Sequence, residues 1–231
     1  MKYIGALVLL LAGMQAQAQF GIVRDKNGYT NVRQGAAISK KITDKVLDGE
    51  VVYMWEREGE WCDINYRRNG EIMGGFVHGS RVKMLEDVFD KIKIRQQDET
   101  NAVFQQDSVT VMFTTRSFVE KAHQIGRSKT DDGYSIVEKI DGKQFYGCDG
   151  GLPTQEYNTF TIQIGNRAVV VPDKAIRDLY QPNPELTAVY YDRKNDRLYI
   201  TATNSDGAGS YEVLLQFDHG VYTSRAIFFG F

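Results

Sequence analysis

The sequence predicts a mainly β protein, with a small N-terminal barrel followed by a C-terminal antiparallel β domain, a sandwich or open barrel carrying one or two short helices. Three observations predict it. Short apolar runs of period two recur along the chain, separated by Asn-Gly, Asp-Gly and Gly-Asn pairs that favour tight hairpin turns. A charged, Gln-rich stretch at 86–107 interrupts them. The 231 residues include 12 Phe and 13 Tyr, enough apolar area for two cores, while only 4 Pro and no Ser/Gly-rich tract argue against a long disordered linker.

Residues 1–18 have the layout of a secretory signal: a positive charge at Lys2, an apolar run from Ile4 to Gly13, and the small-x-small end Ala16-Gln17-Ala18. The run is shorter than the roughly 20 apolar residues that span a bilayer. Cleavage is expected to leave Gln19 first, and no Cys follows to carry a lipid. The mature chain is therefore expected to be exported, periplasmic or extracellular, with no membrane insertion after cleavage. Loss of Lys2 leaves 27 basic against 30 acidic residues, without long runs of one sign. Such a balance argues against nucleic acid or an anionic membrane surface as partner.

The first strands are expected at Gly21 to Val23, Thr30 to Val32, Val51 to Trp55, Trp61 to Tyr66 and Gly75 to His78, with hairpin signals at Asn27-Gly28 and Asn69-Gly70. Val51, Tyr53 and Trp55 share one face and Val52 and Met54 the other, so this strand is apolar on both sides. It is expected to be buried between the barrel and something else. Where Cys62 and Ile64 face the core, Trp61 and Asp63 face outward, because side chains alternate along a strand. An outward Trp beside an acid is either a ligand platform or a cover for the barrel edge or the second domain.

These residues carry a resemblance. Asp25-Lys26-Asn27-Gly28-Tyr29-Thr30-Asn31-Val32-Arg33-Gln34-Gly35 resembles the opening of a bacterial SH3-like domain. The later landmarks fall in order: Asp48-Gly49-Glu50-Val51-Val52, Gly59-Glu60-Trp61-Cys62-Asp63-Ile64, and the closing Gly75-Phe76-Val77-His78-Gly79-Ser80-Arg81-Val82. Two departures are Ala36-Ala37, where the family has Pro-Ser, and Cys62, where it has an aromatic. The resemblance covers 20–85 and implies a binding module whose outward aromatics flank the loops. The candidates are Tyr29, Trp55, Trp61 and Tyr66, with Asp63 beside them.

Beyond it, Val88, Phe89 and Ile92 have helical spacing and open a connector at 86–107. Val109, Val111 and Phe113 then begin the C-terminal domain, 108–231. Hairpins are expected about Asp141-Gly142, joining 135–140 to 144–146, and about Gly165-Asn166, joining 159–164 to 168–171. A helix follows Pro172, from Asp173 to Tyr180. Four strands, at 189–192, 198–203, 211–217 and 221–229, complete a meander that ends on Phe228, Phe229 and Phe231. This half resembles a class of uncharacterised exported bacterial proteins through Ile140-Asp141-Gly142 with Tyr146 to Pro153, Leu179-Tyr180-Gln181-Pro182-Asn183, and Ser205 to Tyr211. No activity comes with that resemblance; it supports a boundary between Leu85 and Ser108, with the two halves folding separately.

Chemistry is sparse. A Cys-His peptidase would need an activated thiol, and Cys148 lies in a polar, glycine-rich segment. The three histidines are scattered at His78, His123 and His219, too dispersed for a zinc amidase. A glycosidase needs two facing carboxylates, which the sequence does not locate. Asp149 and Asp206, each followed by Gly, are the acids singled out with Cys148 as a second-domain site, against their ordinary use as turn residues. Asp131, Asp132, Asp149 and Asp206 do not form a spaced calcium loop. No cofactor or metal is implied. The pairing of Cys62 with Cys148 stays open, since it depends on a geometry that sequence does not show. The leading expectation is an exported non-enzymatic binding protein whose SH3-like domain recognises a cell-wall peptide or a protein segment. The alternatives are a cell-wall-related hydrolase with its site in the C-terminal domain, and a structural protein whose barrel docks on its own second domain.

Overall fold

The computed structural model describes residues 19–229, so the leader at 1–18 and Phe231 lie outside the described residues. The first seven strands are β1 (Gln19–Val23), β2 (Tyr29–Arg33), β3 (Ile42–Leu47), β4 (Val51–Glu58), β5 (Trp61–Arg68), β6 (Glu71–His78) and β7 (Val82–Met84). They form one antiparallel sheet in the order β3-β2-β6-β5-β4-β1-β7. The sheet curls: Val23 and Val82 from one end meet Val32 and Val46 from the other in a single buried cluster with Val52, Cys62, Ile64, Tyr66 and Val77. The sheet closes on itself where β2 meets β6 at Arg33 and Phe76. Gly75 sits there at φ +155°, and a Cβ on it would lie 2.6 Å from Val32 Cγ1, so only glycine lets the sheet fold over.

Asn69 (φ 54°) and Gly70 (φ 90°) join β5 to β6 with Arg68 opposite Glu71, the two-residue hairpin that both positive angles allow. Asn27-Gly28 is different. β1 pairs with β4 and β7, and β2 with β3 and β6, so this turn hands the chain from one end of the sheet to the other instead of closing a hairpin.

The stretch expected as a connector is ordered structure. A one-turn helix α1 (Leu85–Val88) leads to β8 (Asp90–Lys91), β9 (Ile94–Gln97) and β10 (Asn101–Gln106). In β10 it is Ala102 and Phe104 that are buried while Val103 is half-exposed, a short alternation that a Gln-rich composition conceals. The remaining elements are β11 (Val109–Ser117), β12 (Ile125–Lys129), β13 (Ser135–Ile140), β14 (Gln155–Ile164), β15 (Arg167–Val169), α2 (Asp173–Ile176), β16 (Thr187–Asp192), β17 (Arg197–Asn204), β18 (Tyr211–Asp218) and β19 (Val221–Phe229). The β14–β15 hairpin and the β16–β19 meander stand where the sequence puts them. The turn at Asp141-Gly142 closes, with Ile140 and Lys143 exchanging both backbone bonds, but the pairing does not extend to 144–146 as expected. Both residues turn with positive φ, but β13 pairs backward with β12, and Tyr146 bridges Leu179 in parallel. The second helix is one turn, because Tyr180 leaves it to pair with Tyr146 and Glu156.

Two five-stranded sheets, β15-β14-β11-β10-β9 and β19-β18-β17-β16-β8, pack face to face over Phe104, Val111, Phe113, Leu198, Ile200 and Val213. The second of them is buried on both faces. Its alternate residues Tyr190, Tyr199, Leu214, Ala226 and Phe228 meet Phe20, Ile22, Tyr53, Leu85 and Phe89 in another buried cluster. The molecule thus has three layers, with the meander in the middle. β4 shows why: Tyr53 lies in the inter-layer cluster with Val51 and Trp55 against it, and Val52 and Met54 point into the curled sheet. On the same inner face Glu212 is 5% exposed, and it accepts a hydrogen bond from Thr203 Oγ1 at 2.9 Å. Burial pushes its carboxyl up from an ordinary 4.5 to about 7. No helix among the described residues is long and apolar enough to cross a membrane.

Candidate functional site

The outward face of β4, β5 and β6 gathers part of the candidate site. Alternation places Cys62, Ile64 and Tyr66 in the core and leaves Trp61, Asp63 and Asn65 half-exposed on the other side. Trp61 stands opposite Glu58 and His78, with the His78 ring edge-on at 5.4 Å and the Arg33 guanidinium 5.9 Å from the indole. Asp63 stands opposite Glu56 and Phe76. Its carboxyl is pushed up by burial first, then by Glu56 and Glu58.

Trp55 reaches this face by the parity it shares with Tyr53, which pairs with Asn65, and a β-bulge brings Glu56 onto the same face opposite Asp63. The β4–β5 register slips between Met54 and Glu56, leaving Trp55 unpaired and re-aiming the residues that follow it. Its indole packs edge-on against Tyr53 at 4.9 Å, at the rim of the inter-layer core. With the Asn65 amide oriented to accept, Trp55 Nε1 donates to it at 2.8 Å. Trp55, Glu56, Asp63 and Asn65 line a shallow cavity of about 400 Å³. The arrangement offers indole surface beside three carboxylates, which suits a ligand carrying a cation on an apolar stem.

Two of the aromatic candidates are not in it. Tyr66 shares the parity of Cys62 and Ile64, so it is buried in the curled sheet with its hydroxyl donating to Asp44 at 2.9 Å. Burial raises its phenol to about 12. Tyr29 lies at the start of β2, about 13 Å of strand from Arg33, and stacks instead under the Lys45 ammonium, 4.0 Å from the ring.

In the second half the fold does bring the two glycine-rich segments together. Ser205 Oγ donates to the Gly147 carbonyl at 2.9 Å, and a Cβ on Gly209 would lie 3.2 Å from Cys148 Cα. Asp149 and Asp206 are exposed on turns, and Asp206 makes no side-chain capping bond. Cys148 is half-buried and free, its thiol pushed up to about 11 by burial, the opposite of an activated nucleophile. Cys62 is also free, sealed in the core of the curled sheet. Among the described residues no group of three or more His, Cys, Asp or Glu is placed to hold a metal ion.

Sequence reasoning missed one cluster. His123 Nδ1 lies 2.8 Å from Asp141 Oδ2 and Nε2 lies 3.2 Å from Glu156 Oε2, with Phe118 stacked on the ring at 4.6 Å. Arg116 Nε donates to the far oxygen of Glu156 at 2.7 Å. The Gln124 amide, then His123, hold the Asp141 carboxyl below its usual range. Nδ1 is hydrogen-bonded to Asp141, whereas Nε2, although close to Glu156, is buried without a hydrogen-bond partner, and the cluster ties β13's turn to β14. Its members lie 40 residues apart at the extremes, with no local spacing to mark them.

Fold and site together define a three-layered β protein with an aromatic–acidic outer face. Set against protein-family models, curated proteins and solved structures, the chain matches none.

Proposed function

We propose that the chain is an exported, non-enzymatic binding protein whose N-terminal unit is an SH3-like module that recognises a cell-wall peptide or protein segment. The observation that carries it is Trp61. It stays half-exposed on the outer face while Tyr53 and Phe20 saturate the inter-layer core, so its indole is not needed for docking. The surrounding Glu56, Glu58 and Asp63 select a segment with a basic side chain or a free amine. The free, half-buried thiol of Cys148, pushed up by burial, speaks against a Cys-His hydrolase.

The test is retention of the mature chain on purified peptidoglycan, with soluble fragments assayed in parallel. Retention without release is expected; release of muropeptides would overturn the proposal. Trp61→Ala should weaken retention by about 2 kcal/mol or more. It should cost less than the roughly 3–5 kcal/mol of stability that truncating a fully buried aromatic costs. Equal retention of parent and variant would remove Trp61 from the site. A purely structural role for the N-terminal unit is favoured by the inter-layer cluster itself, and it predicts no retention of either chain.

A further inference from the structure

A second cavity lies between the curled sheet and the central sheet, about 440 Å³ in volume, where the turn after β3 faces β17, β18 and β19. Clefts of this size between packed units are where small ligands are commonly held. Its walls carry three guanidinium groups, Arg67, Arg197 and Arg225, against two carboxylates, Glu50 and Asp218. The partners of each decide the balance. Glu50 accepts from Arg68 at 3.4 Å and from the Leu47 amide at 2.8 Å. Asp218 is shared between Arg197 at 3.2 Å and His219 at 2.5 Å. Arg225 is clasped by both oxygens of Asp178 at 2.5 Å. Arg67 has no carboxylate partner among the described residues; its one bond is to the Gly70 carbonyl at 2.6 Å.

A further guanidinium approaches the same turn. A Cβ on Gly49, which sits at φ +84°, would lie 3.8 Å from Arg197 Nη1 and 4.0 Å from Arg24 Nη1. Among the described residues the Arg24 guanidinium has no ion-pair partner and lies over the Phe89 ring, 5.5 Å from its centre. Two arginines without carboxylates, Arg67 and Arg24, therefore flank a cleft whose own acids are already engaged. Tyr199 and Phe228 supply apolar wall, and the Thr223 and Ser224 hydroxyls stand at the rim.

We propose that this inter-layer cleft binds a small organic anion headed by a carboxylate or phosphate, with Arg67 as its principal cation and Arg197 as the second. Planar guanidinium groups match either oxyanion by paired N–H donors. The site is independent of the aromatic face, since Arg67 and Trp61 stand near opposite ends of β5, about 20 Å apart along the strand.

The test is an amide-resolved NMR titration of the mature chain with three probes: sodium phosphate, N-acetyl-dialanine with a free carboxylate, and the same dipeptide as its amide. Shifts at Gly49, Thr223 and Ser224 are expected with at least one anion and not with the dipeptide amide; which anion acts separates the two sources. Arg67→Ala should weaken binding at least 10-fold, and Arg197→Ala should do likewise. Arg67 is exposed and carries no ion pair, so its variant is expected to fold and decides the matter even if Arg197→Ala does not. Unmoved cleft resonances with both anions, equal shifts with the dipeptide amide, or parent-like affinity in Arg67→Ala would each overturn the site.

Discussion

Replacing Phe228 with alanine should destabilise the whole molecule, not one half of it, by about 3–5 kcal/mol. Phe228 belongs to the last strand, yet its 2% exposed ring stacks on Tyr53 of the curled sheet at 5.1 Å and leans on Phe20 at 6.1 Å. Removing it opens a void bordered by both units, and neighbours on two different sheets lose contacts that neither sheet restores alone. The chain's two tryptophans, Trp55 and Trp61, both report on the N-terminal unit, whereas the variant is in the C-terminal one. Urea unfolding followed by tryptophan fluorescence and by far-ultraviolet circular dichroism should shift together and by the same amount. A dichroism transition that moves while the fluorescence transition stays put would show two units folding separately, as the sequence alone suggests.

Glu212 sets the second large effect, and it depends on pH. The folded carboxyl titrates near 7 against an ordinary 4.5, because it is buried with the Thr203 hydroxyl as its hydrogen-bond donor and the Tyr53 phenol, not a cation, across the layer. A raised carboxyl binds more protons folded than unfolded, so its contribution is fully present below about 4.5 and is lost as pH rises through about 7. At about 1.4 kcal/mol per tenfold, the gap amounts to about 3 kcal/mol. Glu212→Gln keeps an oxygen for Thr203 and no charge, so it should flatten this slope and exceed the parent in stability at pH 8 by up to about 3 kcal/mol. The lowered carboxyls of Asp44, Asp141 and Asp196 lose their contributions at acid pH, below this window. Denaturant titrations at pH 5 and pH 8 are the check; a parent equally stable at both, or a variant with the same slope, would place Glu212 in water.

Much of the fold was legible because period-two alternation and turn chemistry are local. Asn69-Gly70, Gly165-Asn166 and the two-faced β4 are all written within a few residues of themselves. The failures came where a distant partner decides. Asp141-Gly142 is as good a turn signal as Asn69-Gly70, but β13 found a better mate in β12 than in the polar segment after the turn. The strands at 94–106 look like a charged connector until sheets exist for them to extend. Tyr66 was legible and misjudged: the parity that puts Trp61 outside puts Tyr66 inside, and its aromatic character outweighed its position. The bulge that sets Glu56 opposite Asp63 and the cluster of Asp141, His123 and Glu156 arise from pairing between separated strands, and the linear sequence carries no mark of either.

The central sheet is the last of the three layers in chain order. Its meander runs from Thr187 to Phe229, whereas both outer layers are built almost wholly from earlier residues. Until that segment emerges, Phe20 and Tyr53 on one layer and Phe104, Val111 and Phe113 on the other have nothing to bury against. Assembly therefore waits for residues 187–229. A nascent chain stopped short of Thr187 would present two greasy faces at once, each the mould of a missing sheet, and would be a substrate for holding factors and proteases before it was ever a folded protein.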